Sequence, residues 1–152
     1  MKKINVLIAD DHKLFAKLVS TLLQASDDIN VVGIANDGEE VLEQIGKKKV
    51  DIILLDINMP KLDGMQAMKE IVHDYPKIKI IILSSHNEAW LIQKVLKQGA
   101  SGYITKSADD EEVLEAIFKV FKGENYCSKE SLNSIINSIT HQHEEEEPNN
   151  LY

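Results

Sequence analysis

Arginine is absent from the 152 residues, and all 17 basic residues are lysines. Arginine is the usual bidentate reader of guanine and the commoner partner of phosphate forks. An arginine-free chain with a net charge of -8 is therefore a poor candidate for sequence-specific DNA contact through its own surface. Cysteine is reduced to Cys127 alone, which excludes an internal disulfide and suits a reducing compartment. No apolar segment approaches the roughly 20 residues that a membrane-spanning helix requires. The segment from Met1 to Asp10 opens like a secretion signal, yet Asn5 interrupts it, Asp10 and Asp11 stop it, and no small-residue cleavage site follows. It reads as a strand. These absences lead us to expect a soluble, cytoplasmic protein with no membrane partner. What remains is 43% hydrophobic, enough for one ordinary core and at most an appendage.

Apolar runs at 4–9, 31–35, 50–55, 78–83 and 101–105 read as short strands, several continuously hydrophobic, as strands are when helices cover both faces. Helix-period segments at about 13–25, 38–46, 64–75, 88–98 and 109–122 alternate with them. Cap and turn residues such as Asp37-Gly38, Asp63-Gly64, Gly99 and Gly123 bound those segments. Strict alternation predicts an α/β fold with a parallel sheet. After Gly123 the pattern changes. Ser128 is a candidate N-cap for a short helix whose apolar stripe is Leu132, Ile135, Ile136 and Ile139. From about Thr140 the chain is polar, and Glu144 to Glu147 alone carry half of its net charge. We expect a domain over 1–123, a linker helix over 124–140 and a flexible acidic linker over 141–152, with a further domain missing beyond it.

The chemistry gathers at the strand ends. Asp56 closes the run from Asp51 and precedes a turn with Pro60; Asp10 and Asp11 close the first strand; Ser84 ends the fourth and Lys106 the fifth. The C-terminal edge of a parallel sheet is where such folds place their sites. Three carboxylates packed together are unstable without a cation, and oxygen ligands favour a hard ion such as Mg2+. A carboxylate before a turn is ordinarily a cap or turn former, so the combination rather than any single residue carries the functional reading.

This order of an acidic pair, a central aspartate, a hydroxyl and a lysine resembles the receiver domain of two-component response regulators, over about residues 3–123. The segment from Gln98 to Lys106 and the helix after the fifth resemble the NarL/FixJ (LuxR-type) subfamily. The resemblance implies a five-stranded flavodoxin-like sheet of order 2-1-3-4-5 with helices on both faces. It implies that Asp56 accepts a phosphoryl group from a sensor histidine kinase or phosphotransfer protein. Mg2+ would be held by Asp10, Asp11, Asp56 and the backbone carbonyl of Asn58, and Lys106 would pair with a phosphoryl oxygen. Ser84 would donate its hydroxyl to the phosphoryl group and draw the following loop inward, with Tyr103 rotating into the space vacated. Asn58 and His86 would tune the lifetime of the acyl phosphate. Such a domain is not an enzyme beyond its own phosphorylation and dephosphorylation. It dimerises on phosphorylation in many members, and it reaches DNA only through a C-terminal helix-turn-helix domain. One departure is visible: Ser107 follows Lys106 where many receivers carry proline.

Other readings are weaker. A phosphatase of the haloacid dehalogenase type needs a second aspartate two residues after its nucleophile, where this chain has Asn58. A flavodoxin-like cofactor binder needs a Ser/Thr/Gly phosphate loop after the first strand, where Asp10, Asp11 and His12 would repel phosphate. A receiver-like domain that only binds partners would not need so complete a pocket. Trp90 points roughly 160° from Ile92 on a helix of about 100° per residue, which predicts an exposed indole beside Leu91. His141 and His143 could bind a transition metal only adventitiously.

Overall fold

A computed structural model describes residues 3–59 and 63–140. Pro60, His141, His143 and the acidic run lie outside the described residues. The elements alternate as expected: β1 (Ile4–Ala9), α1 (Lys13–Gln24), β2 (Ile29–Ala35), α2 (Gly38–Lys47), β3 (Ile52–Leu55), α3 (Gly64–Asp74), β4 (Lys79–Ser84), α4 (Ala89–Lys97), β5 (Gly102–Thr105) and α5 (Asp110–Phe121). They form a wholly parallel sheet of order β2-β1-β3-β4-β5, extended at the β5 edge by β6 (Tyr126–Cys127). The sheet therefore has six strands rather than five. The two-residue β6 covers an edge that would otherwise expose unpaired backbone groups.

Strand side chains alternate between two cores. Leu7, Ile53, Leu55, Ile80, Ile82 and Tyr103 face α2, α3 and α4, whereas Val6, Ile8, Leu54, Ile81, Leu83 and Ile104 face α1 and α5. Both faces are buried, so no polar alternation marks the strands. Helix ends follow the cap residues. The carboxylates of Asp37, Asp63 and Asp109 accept from the backbone N–H of Glu40, Gln66 and Glu112, respectively. Gly99 ends α4 at φ +118°, a left-handed turn suited to glycine. Gly64 serves a different need. A Cβ there would overlap the Asp56 carbonyl oxygen and Ile57 Cα, so only glycine lets α3 start directly against the loop that carries Asp56.

The final helix, α6 (Lys129–Thr140), packs against α4 and β5. Its inward residues are not the expected stripe. Ser131, Ser134, Ile135 and Ser138 are buried or half-buried, while Leu132, Ile136 and Ile139 stay exposed. The serines are satisfied locally: Ser131 bonds Ser128, Ser134 donates to the Glu130 carbonyl and Ser138 to the Ile135 carbonyl. Small, internally satisfied side chains allow close helix approach without an apolar face. The exposed face expected of α4 is also absent. Leu91 is buried, and Trp90 is half-buried against the core rather than outward as its helical angle predicts.

Candidate functional site

Strand register delivers the charged residues to one edge. Ala9 pairs with Leu55, Leu55 with Ile82 and Ser84 with Thr105, so Asp10, Asp56 and Lys106 each follow the last paired residue of a neighbouring strand. The ladder continues into the site: Asp56 N–H donates to the Ala9 carbonyl at 2.9 Å and Lys106 N–H to the Ser84 carbonyl at 2.8 Å.

Asp10 and Asp56 are 2% and 3% exposed, a degree of burial that carboxylates tolerate only when paired. Lys106 supplies the pairing. Its Nζ lies 2.8 Å from Asp10 Oδ2 and 3.3 Å from Asp56 Oδ2, beside the Phe15 ring. The other oxygens take backbone donors: His12 N–H to Asp10 Oδ1 at 2.8 Å and Asn58 N–H to Asp56 Oδ1 at 3.0 Å. Asp10 thus orients the loop before α1, whose N-cap is His12.

Three carboxylates against one ammonium leave the pocket negative. Burial, reinforced by the Asp10 charge, raises the Asp56 carboxyl above its ordinary value despite the opposing Asn58 N–H and Lys106. Burial alone would lower the Lys106 ammonium, but the combined pull of Asp10 and Asp56 raises it, so the lysine stays charged. Ligand atoms of Asp10, Asp11, His12 and Asp56 lie within 4.8 Å of one another. Asp11 Oδ1 is buried with no hydrogen-bond partner among the described residues. A buried carboxylate oxygen that takes no hydrogen bond, with His12 Nδ1 no nearer than 3.8 Å and two further carboxylates beside it, is what a hard dication would satisfy, and this donor set fits one.

Ser84 and Tyr103 meet at His86. Ser84 Oγ accepts the His86 N–H at 3.1 Å, and the Tyr103 hydroxyl donates to the His86 carbonyl at 2.7 Å. Tyr103 is fully buried. The structure places Asp10, Asp11, Asp56, Ser84 and Lys106 at one edge of the sheet, with His12, to which the sequence assigned no site role, beside them. The imidazole Nδ1 lies 3.3 Å from Lys106 Nζ and 3.3 Å from Asp10 Oδ1. Its position directly after the acidic pair is the signal that could have drawn attention to it. Cys127, half-buried, has its thiol pushed up by burial, as suits an unreactive side chain.

Residues 6–118 match the sequence profile described as the response regulator receiver domain. The chain belongs to the response regulator receiver domains. Among curated relatives, this receiver is 37% identical over 134 residues to the transcriptional regulatory protein DegU of Brevibacillus brevis, covering 88% of this chain and 57% of DegU. The receiver thus spans a little over half of that relative's length. It superposes on a LuxR-family two-component response regulator from Aurantimonas sp. SI85-9A1 with a TM-score of 0.86 at 25% identity, over 91% of this chain and 99% of the other. It also superposes on a signal receiver domain ascribed to NarL from Mycobacterium tuberculosis with a TM-score of 0.76 at 35% identity, over 82% of this chain and all of that one. The receiver is of the NarL/FixJ type. No helix among the described residues is long and apolar enough to cross a membrane.

Proposed function

We propose that this receiver accepts a phosphoryl group on Asp56 from a histidine kinase or phosphotransfer protein in the cytoplasm and transmits its presence to an output, with transcription the output that similarity to DegU favours. The observation that carries the reading is the pairing of Lys106 with both buried carboxylates beside the unsatisfied Asp11 oxygen. Asp10, Asp11, Asp56 and the Asn58 backbone carbonyl would hold Mg2+. When bound, the ion offsets charge on the transferred group and aligns it. The chain's own residues do the rest. Asp56 supplies the attacking carboxylate oxygen, which forms a bond to phosphorus as the bond to the departing donor breaks. Lys106, already held among the carboxylates, has an ammonium available for a phosphoryl oxygen, which pre-organises the site for the charge to be stabilised. The Asn58 N–H holds the other Asp56 oxygen in place.

Ser84 and Tyr103 would read the group rather than provide the nucleophile. Moving the Ser84 hydroxyl toward phosphate would free the His86 N–H it now accepts, loosening the loop to which Tyr103 is bonded. Phosphorylation would also favour dimerisation. With α6 over α4 and β6 along β5, the exposed Leu14 and Leu18 of α1 support pairing through α1 and α5. DNA would be met through a helix-turn-helix domain, not through this arginine-free surface.

Acetyl phosphate with Mg2+ should add one acid-stable, base-labile phosphoryl group by intact mass, and chelation of the metal should prevent it. Ser84→Ala should still label but show a reduced chemical-shift response. Absence of labelling in the presence of Mg2+ overturns the acceptor reading, and an undiminished response in Ser84→Ala overturns the hydroxyl's role.

A further inference from the structure

Thr105 and Ser107 flank Lys106, and Asn87 lies three residues after Ser84. One exposed side chain joins all three. Glu130, on the first turn of α6, accepts the Asn87 amide N–H through Oε1 at 2.9 Å. Through Oε2 it accepts the Thr105 hydroxyl, also at 2.9 Å, and the Ser107 hydroxyl. The Ser107, Thr105 and Asn87 donors together hold its carboxyl below the usual glutamate value. The same turn is tied to α5, where Glu112 Oε2 accepts the Lys129 N–H at 2.9 Å. An acidic residue in the first turn of a helix needs no partner beyond the helix dipole and water, so three donors, one at the end of β5 and two in separate loops, ask for another explanation. Ser107 adds to the case. An apolar residue at this position would offer Glu130 no donor from its side chain.

We propose that Glu130 is a positioning residue for the acceptor site, a latch that binds α6 to the end of β5 and to the loops that follow Ser84 and Thr105. Docking of α6 and the state of the pocket then belong to one equilibrium. This inference rests on the reading of Asp56 as phosphoacceptor. A phosphoryl group there adds nearly two negative charges and draws the Lys106 ammonium and the Ser84 hydroxyl toward it. Ser107 and Asn87 move with them, and a single carboxylate does not keep both at hydrogen-bond distance. The latch opens. β6 remains paired to β5 and the Ser128 N–H remains on the Tyr103 carbonyl, so α6 pivots about its N-terminal anchor instead of detaching. Linkage requires the converse: without the latch, the loaded pocket is favoured.

Beryllofluoride with Mg2+ mimics the phosphoryl group at equilibrium and provides the test on the full chain. In wild type, its addition should speed hydrogen exchange at the α6 amides. Glu130→Ala should exchange fast in α6 without ligand, change little on adding it, and bind beryllofluoride about fivefold more tightly by calorimetry. Glu130→Gln, whose amide oxygen can still accept from Thr105 and Ser107, should return most of the protection. A glutamate that only stabilised the helix would loosen α6 and leave the affinity unchanged. Unchanged affinity in Glu130→Ala, or an α6 response equal to that of wild type, overturns the latch alone. No binding by wild type overturns the acceptor reading and the latch with it.

Discussion

Asp56→Asn is expected to melt at a higher temperature than wild type when both are free of divalent metal, although the variant has lost the phosphoacceptor. In the folded protein the Asp56 carboxylate is buried beside Asp10, and burial is the larger reason that its protonated form is favoured. An acid whose folded value lies above its unfolded one lowers stability once it must ionise. The penalty is absent at pH below the unfolded value of 3.8, grows as pH rises through the interval up to the raised folded value, and is constant above it. Asparagine keeps an oxygen for the Asn58 N–H and carries no charge. The melting difference between variant and wild type should therefore be small at the acid end of that interval and largest at neutral pH, each kcal/mol reading as about 2–4 °C for a domain of this size. Mg2+ should narrow it by stabilising wild type. A variant that melts below wild type at neutral pH in EDTA would show that Asp56 is net stabilising through Lys106, contrary to the balance inferred above.

Asp11→Ala is expected to remove most of the Mg2+ response. Wild type at 100 times its dissociation constant gains about 2.7 kcal/mol from the ion, visible as a rise in melting temperature. Asp11 Oδ1 is buried without a hydrogen-bond donor, so its loss costs the metal-free fold little while depriving the ion of a ligand. Affinity should fall about tenfold or more, with labelling by acetyl phosphate slowed accordingly. Titration of Mg2+ against melting temperature checks this, and equal responses in variant and wild type would place the ion elsewhere.

The strands that carry the site were legible because both their faces are buried. Ile52 to Leu55 and Ile80 to Leu83 are unbroken apolar runs that end at charge or hydroxyl, and no helix-period reading accommodates them. Their ends marked Asp56 and Ser84 as strand-edge residues, and the register that brings Asp10, Asp56 and Lys106 to one edge is a feature of the folded sheet. Much of the C-terminal segment was not legible. Tyr126 and Cys127 are too few to show a period, and their pairing depends on the open edge of β5. The packed face of α6 is made of serines and Ile135, whereas Leu132, Ile136 and Ile139 face outward, so an amphipathic reading chose mostly the wrong side. Trp90 was read outward from its helical angle alone, with the sheet as the one neighbour of α4, whereas it is half-buried against the core. Glu130 carries no local signal: its three partners lie 43, 25 and 23 residues away in the chain.

The most direct measurement of the central claim is the position of the label. After reaction with acetyl phosphate and Mg2+, borohydride reduction converts a phosphoaspartate to homoserine, and peptide mass analysis locates it. Homoserine is expected at position 56 and nowhere else, with none formed in Asp56→Asn. Homoserine at position 10 or 11 in wild type, or label persisting in Asp56→Asn, would contradict it.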